Sequence, residues 1–222
     1  MLAWGLLRFW QAEPCWLGRT SGQHTYPPAN RWLQRPHAVQ RLAPRVLPLD
    51  DVARLRIEVF RDWPYLYDGD LVYERRYLNA YLESPDSLVV GAFDGPRLVG
   101  VSTAAPMEDH AEELGAPLTA LGYDLTQVYY CAESVLLPEY RGRGIGHAFF
   151  DAREAKARSL GRKHMAFCSV QRPDDHPARP ETFRTNDAFW RGRGYAPLEG
   201  VFAEFSWRDI GGHEETPKTL QV

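Results

Sequence analysis

The chain predicts a mixed α/β fold, an α+β arrangement with a mixed sheet of six to seven strands and flanking helices. Apolar runs of strand length recur between glycine and proline breaks, and several stretches place apolar residues at helical spacing. One apolar strand, residues 128–137, passes through three glycines at alternate positions into a helix. With 44% apolar and 13% aromatic residues, the 222-residue chain can fill a packed core.

Taken in order, residues 1–42 are the least domain-like. They carry Trp4, Trp10, Trp16 and Trp32 and prolines at 14, 27, 28 and 36, without sustained periodicity. We expect a flexible or non-domain extension here, or a leader upstream of a later start codon, and a single domain over 43–222. Leu2–Leu7 lacks a basic n-region and is short for a secretory signal. An arginine-rich, acid-poor start resembles an organellar transit peptide, but tryptophan and proline dilute that signal.

The domain is expected to open with a strand at Arg45–Leu49, followed by a helix capped by Asp50 with Val52, Leu55, Val59 and Phe60 on one face. An aromatic turn, Phe60–Gly69, holds Trp63, Tyr65 and Tyr67 with Asp62 and Asp68, and Asp70 follows it. A second helix over about 71–82 sets Tyr73, Tyr77, Leu78 and Tyr81 to one side. Leu88–Phe93 and Leu98–Thr103 form a hairpin around Gly95-Pro96. Pro106–Leu121, acidic and broken by Gly115 and Pro117, reads as a surface helix and loop.

After the central strand comes a helix over Ile145–Leu160, with Ile145, Phe149, Ala152 and Leu160 on one face and Glu154 four residues before Arg158. His164–Val170 reads as one buried strand. Gln171–Arg184, rich in proline and charge, is a long irregular loop that we read as a lid. A short helix ends at Gly194, a strand alternates Val201, Ala203, Phe205 and Trp207, and Thr216–Val222 can form another.

Charge and cysteine usage restrict the function classes. Residues 1–50 hold six arginines against Glu13 and Asp50, a net of +4, which leaves 20 basic and 27 acidic residues, or −7, in the remainder. A mildly acidic body argues against a nucleic-acid surface. No 18-residue apolar run points to a membrane span. Cys15, Cys131 and Cys168 lack C-x-x-C spacing, and the last two fall in apolar strand patterns, so we expect buried thiols, no disulfide and a cytoplasmic, reducing location. The seven histidines show no paired ligand spacing, and no metal is expected.

The chemistry concentrates at Arg141-Gly142-Arg143-Gly144-Ile145-Gly146. Glycines free the backbone to turn several N–H groups onto one anion, the following helix adds its dipole, and two arginines add full charge. The spacing is not a dinucleotide fingerprint, because His147 stands where the third glycine belongs. It is not a Walker loop either, because no Gly-Lys-Ser/Thr triplet occurs.

Arg141-x-x-Gly144-x-Gly146 after an apolar strand and Pro138-Glu-Tyr, and before a helix, resembles the R/Q-x-x-G-x-G/A signature of GNAT-type N-acetyltransferases. The resemblance implies acetyl-CoA as cosubstrate, its pyrophosphate held by Arg141, Gly142, Arg143, Gly144, Ile145 and Gly146, and its pantetheine and thioester beside Leu136. It further implies a fourth strand splayed from the fifth, with the pantetheine arm between them. Asn186 is the nearest match to the family's helix-initiating asparagine on the cofactor side. The turn between the first two helices would line the acceptor cleft with Trp63, Tyr65 and Tyr67, and its acids lean toward a small cationic amine.

Acyl transfer needs a base for the amine, a donor for the oxyanion and a proton for the leaving thiolate. Glu133, the one acid of the central strand, is the candidate base, with a structural acid paired to arginine or tyrosine as the alternative. Where many family members carry a tyrosine as the acid, this chain has Trp190. Tyr195 is the foremost substitute, with Tyr130 and Ser169 behind it. The expected activity is N-acetyl transfer to a small-molecule or peptide amine by direct attack. A catalytically inactive acyl-CoA-binding sensor or interaction module is the rival, with a nucleotide-binding domain further off. Paired or swapped terminal strands would make a homodimer.

Overall fold

A computed structural model describes residues 7–9, 37–42 and 48–222; the side chains of 7–9, 37, 38, 40–42, 112 and 113 lie outside the described set. Among the described residues nine strands form two sheets. They are β1 (Leu7–Phe9), β2 (His37–Leu42), β3 (Leu88–Asp94), β4 (Arg97–Pro106), β5 (Val128–Leu136), β6 (His164–Ala166), β7 (Ser169–Val170), β8 (Phe202–Arg208) and β9 (Glu215–Gln221). The helices are α1 (Leu49–Phe60), α2 (Leu71–Glu83), α3 (Ala116–Ala120), α4 (Ile145–Ser159) and α5 (Asp187–Gly192). One sheet runs β1-β6-β5-β4-β3-β2, antiparallel except for the β5–β6 pair, and the other runs β7-β9-β8.

The strand count exceeds the expectation for two reasons. The stretch read as an extension contributes β1, antiparallel to β6, and β2, antiparallel to β3. So the first sheet strand beside the hairpin is His37–Leu42 and not Arg45–Leu49, of which residues 45–47 lie outside the described set and Leu49 already opens α1. The flexibility expected of 1–42 otherwise concerns residues outside that set.

The second reason is that His164–Val170 is two strands. The chain leaves the large sheet after Ala166, and Ser169 pairs with Gln221 in the small one. β5 therefore has β6 beside it only at Val128–Tyr130, while its last six residues continue with no strand on that side among the described residues. This is the splay that the resemblance implied.

Helices α1 and α2 cover one face of the large sheet and α4 the other. Apolar residues at helical spacing, Val52, Leu55 and Phe60, bury α1 against the strands, and Arg56 falls in the same stripe. Asp50 sits in the first turn of α1 and makes a bidentate pair with Arg75 on α2 instead of capping. Asp70 does cap α2, accepting from the backbone N–H groups of Val72 and Tyr73 at 2.9 and 3.0 Å. On α2 the buried residues are Glu74, Leu78 and Tyr81, while Tyr73 stays 44% exposed.

The 106–121 segment is less superficial than its polarity suggested. Met107, Leu114 and Leu118 are fully buried in a second core cluster with Val128, Tyr130 and Ala203.

Candidate functional site

The glycine loop has the backbone its sequence demanded. Gly142 and Gly144 sit at φ +71° and +87°, where a Cβ is strained, and Gly144 is the residue that starts α4. No side chain caps this helix, and no acid lies in its first turn. Its first internal bond comes from the Ala148 N–H to the Gly144 carbonyl, so the amides of Ile145, Gly146 and His147 face out of the helix end.

Arg141 bonds the Leu136 carbonyl at 3.2 Å and Arg143 the Glu139 carbonyl at 2.6 Å. Both bonds orient the guanidinium groups beside the loop. Phe189 on α5 would stand 3.6 Å from a Cβ on Gly146, so α5, with exposed Asn186 at its start, flanks the same loop. Leu136 lies where β5 is uncovered, its side chain packed over Gly100 on β4.

A bulge sets the chemistry of β5. Glu133 pairs with Thr103 and Tyr130 with Ala105, so three steps on β5 oppose two on β4. Regular alternation would send Tyr130 and Glu133 to opposite faces; the extra residue brings both to the α1/α2 face. Cys131, before the shift, lies among Arg153, Glu154 and Arg193 on the α4 side, and burial pushes its thiol up to about 11.

Glu133 is 9% exposed and held by two groups. One carboxylate oxygen pairs with Nη1 of Arg56, and the other accepts from the Tyr77 hydroxyl at 2.8 Å. Arg56 also pairs with the buried Glu74, while its guanidinium lies 4.3 Å from the Tyr77 ring centre. The Tyr77 hydroxyl meets that of Tyr81 at 2.9 Å, and His110 stacks between the rings of Tyr81 and Tyr130. Burial, reinforced by the Glu133 charge, holds the Tyr77 and Tyr81 hydroxyls protonated far above their ordinary range. The partners first set beside Glu133 as an alternative are thus present, an arginine and a tyrosine together.

The aromatic turn faces this cluster. Burial and then the Glu133 charge push Tyr65 up to about 12, and its ring lies 4.3 Å from Phe60. Trp63 carries the lid: its ring meets His176 at 5.0 Å and Phe183 at 6.0 Å. Arg172 fastens that lid, donating to the carbonyls of Pro64 and Tyr65 and pairing with both oxygens of Asp209 at 2.9 and 2.7 Å. Tyr67 points toward Glu74, and burial, reinforced by that carboxylate, holds its hydroxyl protonated. The acids of the turn have other work: Asp68 pairs with Arg208 at 2.9 Å, and Asp70 is the α2 cap.

Tyr195 is not brought to Glu133. It is 2% exposed on the α4 side, donates to Glu154 at 3.3 Å and packs its ring on Phe150 and Phe167. The family's acid position, Trp190, stacks on Phe167, the residue where the chain leaves the large sheet. Sequence reasoning missed Arg56, Glu74, His110 and Asp209. Only Arg56 left a signal, a charge four residues from Val52 and from Phe60 inside an apolar stripe.

Among the described residues no group of three or more histidine, cysteine, aspartate or glutamate side chains could hold a metal, and no helix is long and apolar enough to cross a membrane.

Curated protein sequences give no match to the chain. Solved structures do. An aminoglycoside antibiotic 6'-N-acetyltransferase from Acinetobacter baumannii aligns at TM-score 0.50 and 18% identity, over 74% of this chain and 94% of its own. An aminoglycoside 6'-N-acetyltransferase complexed with coenzyme A aligns at 0.53 and 15%, over 83% and 96%. An N-acetyltransferase from Thermoplasma acidophilum in complex with coenzyme A aligns at 0.50 and 14%, over 83% and 97%. At such identities these establish a shared fold. The profile of the Acetyltransferase (GNAT) family matches residues 52–180, a span that takes in most of α1, the bulged strand and the glycine loop, and the chain belongs to that family as an acyltransferase.

Proposed function

We propose that this enzyme moves an acetyl group from acetyl-CoA to a primary amine by direct attack in a ternary complex. The observation that carries the reading is the conjunction of an uncapped helix start behind two left-handed glycines with an open flank on β5. The residues fit the cosubstrate. Arg141, Gly142, Arg143, Gly144, Ile145 and Gly146 would hold its pyrophosphate, Asn186 would border it, and Leu136 would line the pantetheine arm. Acetyl-CoA supplies the activated acyl group as a thioester.

Glu133 takes the proton of the attacking amine. Arg56 and Tyr77 fix its carboxylate, each engaging one of the two oxygens. The amine nitrogen forms the C–N bond while the C–S bond breaks with its electron pair left on sulfur, and the proton removed by Glu133 balances the thiol that departs. With a thiol pKa of about 8.5, solvent suffices for that last protonation. Tyr195, committed to Glu154, is reassigned to packing. Trp63 and Tyr65 would line the acceptor, with Tyr67 behind them. We place the enzyme in the cytoplasm, acting on small-molecule or peptide amines.

Glu133→Gln tests the assignment. Loss of about 10²–10⁴-fold in kcat with unchanged acetyl-CoA affinity is expected. Full activity in that variant removes Glu133 from the mechanism. Tight binding of acetyl-CoA by the native protein with no turnover on any amine would instead favour a sensor.

A further inference from the structure

The turn that lines the acceptor cleft looks acidic in the sequence, and a polycationic acceptor needs several acids with charge to spare. The structure engages most carboxylates around this turn internally, while Asp62 stays exposed. Glu133 and Glu74 share Arg56; Asp68 pairs with Arg208; Asp209 is taken by Arg172 and Lys218; Asp174 pairs with Arg179. The lid over 171–184 holds Arg172, Arg179 and Arg184 against Asp174, Asp175 and Glu181, a net of zero. What the cleft wall offers instead is rings. Trp63 touches His176 and Phe183 on the lid, and Tyr65 lies 6.0 Å from Trp207 while feeling the charge of Glu133.

We infer that the acceptor is a monoamine on an aromatic or apolar body, an arylalkylamine in chemical class, and not a polyamine or aminoglycoside. The inference rests on the transferase reading above. Trp63 and Phe183 grip the body, Tyr65 flanks it, and the amine reaches Glu133, the one carboxylate at the bulge. Stacking suits a flat body, since offset and edge-to-face ring pairs attract each other beyond the area they bury. A polycation would give up water at each ammonium while most carboxylates near this wall are already paired.

The test separates acceptor choice from catalysis. Phenethylamine, tryptamine, spermidine and kanamycin are titrated calorimetrically into the full chain saturated with CoA, and the same four are assayed for thiol release from acetyl-CoA. At least tenfold tighter binding of the two arylalkylamines is expected, with a similar advantage in kcat/KM. Phe183→Ala and Trp63→Phe should raise the arylalkylamine KM several-fold with acetyl-CoA affinity unchanged; the lid variant keeps the test valid should the Trp63 change unfold the turn. Tighter binding of spermidine or kanamycin, binding of none of the four, or an unmoved KM in Phe183→Ala overturns the inference. Selective binding of the arylalkylamines without turnover upholds it and overturns the transferase reading alone.

Discussion

At the scale of single residues, Arg56 decides whether Glu133 can serve. It is 6% exposed and compensates two buried carboxylates. Breaking a buried ion pair from one side costs about 3–5 kcal/mol, because the remaining charge keeps its desolvation penalty. Arg56→Gln is therefore expected to lower the unfolding free energy by roughly that amount in a denaturant titration, and to reduce kcat as well. The loop glycines separate in a comparable way. Gly144→Ala sets a Cβ at φ +87°, costs about 1–2 kcal/mol and turns the first amides of α4, so acetyl-CoA affinity should fall at least tenfold. Gly146→Ala meets only Phe189 at an ordinary 3.6 Å, and calorimetry should find affinity and stability kept.

Among the elements, the lid and the aromatic turn work as one piece because Arg172 crosses between them. Arg172→Ala removes the donor of the Pro64 carbonyl and leaves the Tyr65 carbonyl to Trp207 Nε1 and the Asp209 carboxylate to Lys218. With hydrogen bonds to charged groups worth about 1.5–3 kcal/mol, a loss near 2 kcal/mol is expected. A raised acceptor KM beside an unchanged acetyl-CoA affinity would show that the fastening orients the wall; equal effects on both would contradict it.

Elements also mark where the sequence was legible. α4, the hairpin and the glycine loop rest on local signals: helical spacing, a two-residue turn, and positions only glycine occupies comfortably. The break at Phe167–Cys168 left none, because the switch from one sheet to the other depends on β9 arriving from fifty residues downstream. The cluster around Glu133 was half legible. A lone acid in an apolar strand announced a function or a partner, but Arg56, Glu74 and Tyr77 meet it through packing of α1 on α2, which periodicity does not number. The bulge that turns Glu133 to their side was equally silent, since an inserted residue shows only against the neighbouring strand.

For the whole molecule, buried hydroxyls set the alkaline limit of stability. Tyr65 rises from an ordinary value of 10 to about 12, and burial raises Tyr77, Tyr81 and Tyr195 further. A folded-state value above the unfolded one means a contribution that is whole below pH 10 and drains away as pH climbs through 12. Ultraviolet titration of tyrosinate should show exposed groups ionising near pH 10 and a later, cooperative step coincident with loss of circular dichroism. A single smooth transition centred at 10 would mean the cluster is wet.

The two-residue crossing between β6 and β7 carries one more consequence. The small sheet is tied to the large one by that crossing, by Arg172 and by the Tyr67–Asp209 bridge, while the flank of β5 lies open between them. A thioester arm seated there, as proposed above, would act as a suture along a seam that the described polypeptide leaves unstitched. Amide exchange along Phe202–Gln221, remote from any atom that reacts, should accordingly slow when the donor is loaded.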